Sequence, residues 1–305
     1  EVSKVKKART AITAAADIPE AIGSYFFGIF ICVFLQVELY TVMKKKPLVF
    51  LKGLANKLNR FYFKKSKSSL VINNKSKERK KFNPVTNFDR SFEKLIRSLI
   101  SKSFPKESII GEEFKDKCLF SEYKWSVDPI DGTKAFISGF PTWSNLIGLM
   151  HKEKAIIGIA NFPELNRYYL NDEKKSYLYK NKKKFIIKSS NNYNLRNIKI
   201  IGNFHGNITS KEKAKLINKL GKSFNLLSFD ALSYCSLAEG KVDAVIETNL
   251  KPYDIVPLIS IIKNAGGCVS GWNNESAEKG GNILASSNRK LHKKILKLIK
   301  SIIKK

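Results

Sequence analysis

A chain of 305 residues can bury a large core as one big domain or two modest ones, and an apolar share of 43% without low complexity or internal repeats argues against a disordered or fibrous protein. A formal charge of +30 raises nucleic acid or an anionic membrane as partners. The lysines, however, are spread over the whole length among Asn and Ile instead of gathering on one element, so nucleic acid is disfavoured and a small anionic substrate gains from the field.

Residues 1 to 46 read as an N-terminal extension. Ile22 to Leu35 is almost continuously apolar, with Phe26, Phe27, Phe30 and Phe34, but Gln36 and Glu38 interrupt it before a membrane-spanning length is reached. Three readings follow. The preferred one takes Met43 as the translation start and the upstream part as extraneous. In the second, residues 22–42 form a marginal anchor, the one case in which a membrane is a partner. In the third, Lys4, Lys6, Lys7 and Arg9 begin a signal-like segment, although no small-residue cleavage site follows.

Residues 47–305 read as the working domain. Leu51, Leu54, Ala55, Leu58, Phe61 and Tyr62 recur at helical spacing over Pro47 to Phe63. Lys64 to Lys81 is a basic connection with a short strand at Leu70 to Ile72. Pro84 to Asp89 reads as a loop entering a second helix, capped by Thr86 or Asn87 and buried through Phe92, Leu95, Ile96, Leu99 and Ile100. Asp89 at its start is either a helix-start acid or an outer metal ligand.

Ser108 to Ile110 is a short strand running into Glu112 and Glu113. A second strand, Trp125 to Val127, delivers Asp128 and Asp131, with Pro129 expected to stop the ladder and Gly132-Thr133 at a helix start. Asp-Pro-x-Asp-Gly is also the composition of an ordinary turn. What favours chemistry is the repetition of strand followed by acid: hard oxygen ligands for a divalent cation beside backbone N–H groups suited to phosphate.

Leu146 to Met150, Ala155 to Phe162, Tyr168 to Leu170 and Ser176 to Tyr179 read as an antiparallel meander. Beyond a loop at Asn191 to Asn194 come a strand at Lys199 to Ile201, a helix from Ser210 to Leu220, a strand from Asn225 to Phe229 and a helix from Ala231 to Gly240. A strand at Val242 to Glu247 precedes a long helix from Ile255 to Ala265, with Asp254 at its N-terminus, where capping alone would explain an Asp. Strands at Cys268 to Ser270 and Ile283 to Ser286 and a helix at Leu291 to Ile303 complete the chain. Cys32, Cys118, Cys235 and Cys268 are far apart, as are His151, His205 and His292, which argues against disulfides, zinc or imidazole ligation and fits a reducing, cytoplasmic setting.

Gly111-Glu112-Glu113, Asp128-Pro129-Ile130-Asp131-Gly132-Thr133, and Pro252-Tyr253-Asp254 followed by Ala265-Gly266-Gly267 resemble the inositol monophosphatase family in order and spacing, over residue 48 to the end. The resemblance implies an α/β (α+β layered) fold, a five-layer αβαβα sandwich, and Mg2+-dependent hydrolysis of a small phosphate monoester, in a homodimer. By position, Glu112, Asp128, Asp131, Asp254 and the carbonyl of Ile130 would hold two or three Mg2+ ions. Glu113 and Asp89 would lie in the outer shell, and the N–H groups of Gly132 and Thr133 would hold phosphate. Glu112, Asp131 and Thr133 are the expected catalytic groups, acting on a water in an in-line displacement with no phospho-enzyme.

Lys251-Pro252-Tyr253-Asp254, Phe140-Pro141-Thr142-Trp143 and Asp230 with Ser233-Tyr234 look most like the histidinol-phosphatase branch. Histidinol phosphate carries a cationic amine and an imidazole, which Asp230 and Glu247 would recognise through charge-assisted hydrogen bonds; Asp230 could equally cap its helix. Leu226 to Phe229 depart from the family's pattern just ahead of Asp230. Inositol monophosphatase and nucleotide 3'-phosphatase are the rival enzymes, and a basic binding protein that keeps the fold without turnover is the rival of another class.

Overall fold

The structure is a computed structural model that describes residues 46–66, 69–75, 84–221, 224–225, 227 and 229–303. The chain divides into residues 1–47 and residues 48–305. The expectations for residues 1–45, including the 22–42 segment, lie outside the described residues.

Helix α1 (residues 46–65) buries Leu51, Leu54, Leu58 and Tyr62, the stripe its periodicity marks. Helix α2 (Asn87–Ser103) opens on a capping box in which the Thr86 hydroxyl accepts from Phe88 and Asp89 N–H and the Asp89 carboxylate accepts from Thr86 N–H. Both helices pack on one face of a seven-stranded sheet, against Ile109 of β3 (Ser108–Gly111) and Trp125 and Val127 of β4 (Tyr123–Asp131). That sheet continues through β5 (Ser144–His151), β6 (Lys154–Phe162), β7 (Arg167–Asn171), β8 (Ser176–Lys180) and β9 (Lys183–Ile187), with β3 parallel to β4 and the remaining pairs antiparallel.

The second sheet has the order β11-β10-β12-β14-β13, built from β10 (Ile200–Phe204), β11 (Phe224–Asn225), β12 (Ala244–Leu250), β13 (Cys268–Gly271) and β14 (Gly281–Ser286). Between the sheets lie α5 (Ala231–Ala238) and α6 (Pro252–Asn264), where Tyr234, Leu237, Ile255 and Ile259 meet Leu146 and Phe162 on one side and Val245 and Ile283 on the other. Outside the second sheet lie α4 (Ser210–Leu220) and α7 (Arg289–Ile302), whose Leu216, Leu291, Ile295 and Ile299 cover Ile200, Ile246 and Leu284. The order helix, sheet, helix, sheet, helix is the five-layer αβαβα sandwich expected. A sheet covered on both faces needs apolar residues on both, which is why β5 is buried along nearly its whole length.

The middle layer is close because two glycines make it so. Gly148 and Gly158 are cross-strand partners, and α6 lays Pro257 on them. A Cβ at Gly158 would overlap the Pro257 carbonyl oxygen outright. This approach fixes the height at which α6 presents its N-terminus, and with it Asp254.

Several elements differ from expectation. Pro129 does not stop β4: pairing with β5 breaks between Asp128 and Asp131 and resumes at Asp131 with Ser144, so a bulge absorbs the missing N–H. Pro84–Thr86 is a strand (β2), paired with Ile72–Asn74 (β1) instead of the expected Leu70 to Ile72. Helix α4 has the expected bounds, and Thr209 caps it. Of the expected strand Asn225 to Phe229, the described residues show Phe224–Asn225 as strand and Leu227 and Phe229 outside it and exposed. Strand β9 was not foreseen, because Asn181 and Lys182 turn with φ of 51° and 60° without the glycine that normally announces such a hairpin.

Candidate active site

The acids arrive at the ends of three elements. Glu112 and Glu113 follow β3, and their loop is held from below by Glu93 of α2, whose carboxylate accepts from Glu113 N–H (2.7 Å) and Phe114 N–H (3.3 Å). Arg97, one turn on, pairs with Glu93 at 2.7 Å and donates to the Phe114 carbonyl at 3.0 Å. Glu93 is fully buried, and a Cβ at Gly111 would collide with it, so the glycine lets this clamp close. The sequence reading missed the clamp. Its signal was a Glu-x-x-x-Arg pair set into the apolar stripe of a core helix.

The bulge in β4 turns Asp128 and Asp131 to the same corner. Asp128 Oδ1 accepts from Ile130 N–H at 3.1 Å, and the Thr133 hydroxyl donates to the Ile130 carbonyl at 3.1 Å. Gly132 takes φ of +79°, the left-handed value that glycine tolerates, and opens the short helix α3 (Thr133–Ile137). Asn145 of β5 donates to the Pro129 carbonyl at 2.6 Å and is itself held by Asn161, which reaches Asn59 of α1. This file of buried amides anchors the motif to the sheet. Asp131 Oδ2 accepts from Ala231 N–H at 2.8 Å, so the carboxylate caps α5 from outside its own chain segment.

Asp254 sits in the first turn of α6, where its Oδ2 accepts from Lys251 N–H at 2.7 Å. The capping role is real, and Asp254 also lies close enough to Asp128 for each to act on the other's ionisation. Burial comes first in lifting the carboxyl pKa values of the group, and mutual repulsion adds to it. Glu112 is pushed up to about 7 with Glu113 and Asp254 contributing, and Asp254 to about 6 with Asp230 contributing. Asp128 and Asp131 are raised well above the usual carboxylate range, Asp128 in the field of Glu112, Asp131, Asp254 and Asp89. Acids from the end of β3, from β4 and from α6 therefore lie in one another's field, and the Lys75 ammonium pairs with Glu112 at 2.9 Å and also with Glu113.

The outer residues divide. Asp89 is buried behind the corner, with one carboxylate oxygen bonded to Thr86 and the other, Oδ1, without a hydrogen-bond partner among the described residues. Asp230 does not cap α5 with its side chain; its carboxylate lies over Gly132, where a Cβ would stand 2.6 Å from Oδ2. Glu247 is 3% exposed, accepts from the Tyr234 hydroxyl at 2.9 Å, and is raised to about 8 chiefly by burial. Two residues not foreseen complete the rim. The Tyr253 hydroxyl lies in the field of Glu112, Asp254 and Asp128, and the His205 imidazole feels Lys134 on one side and Asp230 on the other.

Among the described residues no three His, Cys, Asp or Glu side chains stand in the closed arrangement of a formed metal cage. The chemistry of the donor set nonetheless fits Mg2+: hard carboxylate oxygens, crowded until they resist ionisation, with a carboxylate oxygen of Asp89 behind them that finds no hydrogen-bond partner among the described residues. A divalent cation removes that repulsion.

Residues 45–304 match the inositol monophosphatase family. A fructose-1,6-bisphosphatase/inositol-1-monophosphatase of Aquifex aeolicus is 30% identical over 71% of this chain and 81% of its own. A histidinol-phosphatase of Mycobacterium tuberculosis is 27% identical over 70% and 83%. The bifunctional phosphatase IMPL2 of Arabidopsis thaliana chloroplasts is 29% identical over 70% of this chain, and the match spans 64% of that relative's length. Among solved structures, an IMPase of Thermotoga maritima superposes with a TM-score of 0.68 at 24% identity, covering 84% of this chain and 97% of that one. An IMPase/NADP phosphatase complexed with Mg2+ and phosphate gives 0.67 at 17% identity over 86% and 96%.

Proposed function

The chain belongs to the inositol monophosphatase family, and on that premise we propose that it is a Mg2+-dependent phosphate monoester hydrolase whose substrate is L-histidinol phosphate. The observation that carries the reading is the gathering of Glu112, Asp128, Asp131 and Asp254 into one field beside the left-handed turn at Gly132.

In this reading those four carboxylates and the Ile130 carbonyl hold two or three ions. Mg2+ held there would supply a lowered pKa for a bound water and a positive charge against the leaving oxygen. Glu112 accepts the proton that the attacking water gives up. The Thr133 hydroxyl, which donates to Ile130 O, keeps its lone pairs to orient that water. Asp131 ties the corner to α5. The N–H groups of Gly132 and Thr133 take the phosphate oxygens, and Glu113 and Asp89 brace the inner acids. The new P–O bond would form opposite the ester oxygen as the bond to that oxygen breaks, and the proton that Glu112 takes from the water would be returned to the leaving oxygen, so no phosphorylated residue is required.

Asp230 supports the substrate assignment, because its carboxylate sits over the phosphate turn where an ammonium two or three bonds from the ester oxygen would reach it. Glu247 contributes from behind, through Tyr234. The Lys251-Pro252-Tyr253-Asp254 sequence and the histidinol-phosphatase relative point the same way. The name of the Aquifex relative favours inositol phosphates instead. A phosphate-release panel with Mg2+ decides: histidinol phosphate should exceed inositol 1-phosphate and adenosine 3',5'-bisphosphate in kcat/KM by at least about tenfold. Preference for either of the others overturns the substrate, and absence of Mg2+-stimulated release from all three overturns the reaction.

A further inference from the structure

Most of the basic residues are spread over the sequence, but the C-terminal helix carries a dense set of them along one groove. A groove of about 700 Å³ runs between β13 and α7, and five cations line it: Lys263, Arg289, Lys293, Lys297 and Lys300. None of the carboxylates of the active site borders it. Lys263 stands at the opposite end of α6 from Asp254, about 13 Å of helix away.

The arrangement is electrostatically unfavourable by itself. Arg289, Lys293 and Lys297 recur at i, i+4 and i+8, the spacing that puts like charges side by side on a helix. No acid occurs anywhere in α7, and Arg289 and Lys290 occupy its first turn, where the helix dipole is already positive. Neighbouring acids compensate little. Glu278 approaches Lys263 only to 3.9 Å, and Glu275 turns its carboxylate to Asn273 N–H at 2.8 Å. The floor sets the apolar Val269 and Leu296 beside Ser270 and His292, and His292 is fixed between Ser270 and Ser286 at 2.9 and 2.6 Å. The groove offers cations at steps of about 6 Å and, among the described residues that line it, no exposed Phe, Tyr or Trp on which bases could stack, which favours a compact polyanion over a nucleic acid.

We propose that this groove is a second anion site, separate from the active site, that takes a small molecule bearing a chain of phosphates. The probe is inorganic tripolyphosphate, titrated calorimetrically into the full chain at about 50 mM salt, where phosphate contacts are weakly screened. Replacing Lys293 and Lys297 together by Gln should weaken binding tenfold or more, while K293R/K297R retains it. The double variant Lys290→Gln, Lys294→Gln removes the same charge from the helix face that lies over Tyr193 and should change affinity less than twofold. Equal losses in the two Gln pairs would reduce the effect to net charge and overturn the site, as would an unchanged affinity in K293Q/K297Q, which places the probe elsewhere. Binding of a single-stranded RNA 12-mer tenfold tighter than tripolyphosphate, lost in the same variant, would overturn the small-molecule assignment in favour of nucleic acid.

Discussion

At the scale of single residues, the corner built by Asp128 is an arrangement that is costly to keep without a cation. Asp128 is buried among Glu112, Asp131 and Asp254, each of which opposes its ionisation. Asp128→Asn removes a ligand but also removes this repulsion. It should abolish phosphate release while leaving the melting temperature in chelator unchanged or higher, and it should remove the rise in Tm that Mg2+ gives the parent protein. Full activity in the variant would refute the metal assignment. Asp230 makes a different kind of contribution, because its carboxylate lies over Gly132 instead of capping α5. Asp230→Ala should lower kcat/KM for histidinol phosphate by about a hundredfold, the order expected for a desolvated charged hydrogen bond, and for a neutral sugar phosphate much less. Equal losses would take Asp230 out of substrate recognition.

At the scale of elements, the position of Asp254 depends on a contact far from it in sequence. Helix α6 rests on β5 and β6 through Pro257 against Gly148 and Gly158. Gly158→Ala puts a methyl group into the Pro257 carbonyl, and because both partners are backbone inside a sandwich, neither can yield cheaply. We expect a loss of about 3 kcal/mol in urea unfolding, with Mg2+ affinity falling as Asp254 is displaced. Gly53→Ala, on the exposed side of α1 with open space at its Cβ, should instead stabilise by about 0.5 kcal/mol. The meander from β5 to β9 shows the limits of reading elements from pattern. Four of its strands follow from apolar runs between turn residues. The fifth was hidden because the turn at Asn181-Lys182 adopts its positive φ values without glycine.

At the scale of the whole molecule, His292 links proton binding to unfolding. It is 6% exposed between α7 and the second sheet, hydrogen-bonded to two serines, and burial lowers its pKa from 6.5 to about 4. The unfolded chain therefore binds a proton in the window from pH 6.5 to 4 that the folded chain refuses. The stability that neutral His292 supports is fully present above pH 6.5, declines as pH falls through this window, and is lost below about 4. The total is up to about 3 kcal/mol, from 1.36 kcal/mol per unit of pKa difference. Denaturant midpoints measured between pH 7 and pH 4 should fall more steeply in the parent protein than in His292→Gln; parallel curves would remove His292 from the acid response. No helix among the described residues is long and apolar enough to cross a membrane.

The sequence by itself marked most helices and buried strands, its resemblance to a family implied the order of layers, and its motifs singled out the candidate inner acids. Apolar periodicity marks each helix and buried strand locally, and Glu112, Asp128, Asp131 and Asp254 stand in short motifs whose residue types limit what they can do. Only the tertiary structure decided how those motifs are held. The Glu93 and Arg97 clamp, the amide file from Asn59 to Pro129, the capping of α5 by Asp131 and the seat of Pro257 on two glycines all join residues distant in the chain. The basic groove is partly of this kind: Arg289, Lys293, Lys297 and Lys300 are neighbours through the pitch of α7 alone, and only the packing of α7 beside β13 and the end of α6 adds Lys263. Periodicity reports what one element does with its own neighbours in sequence; which side chains meet across layers is fixed by packing distances that no local pattern contains.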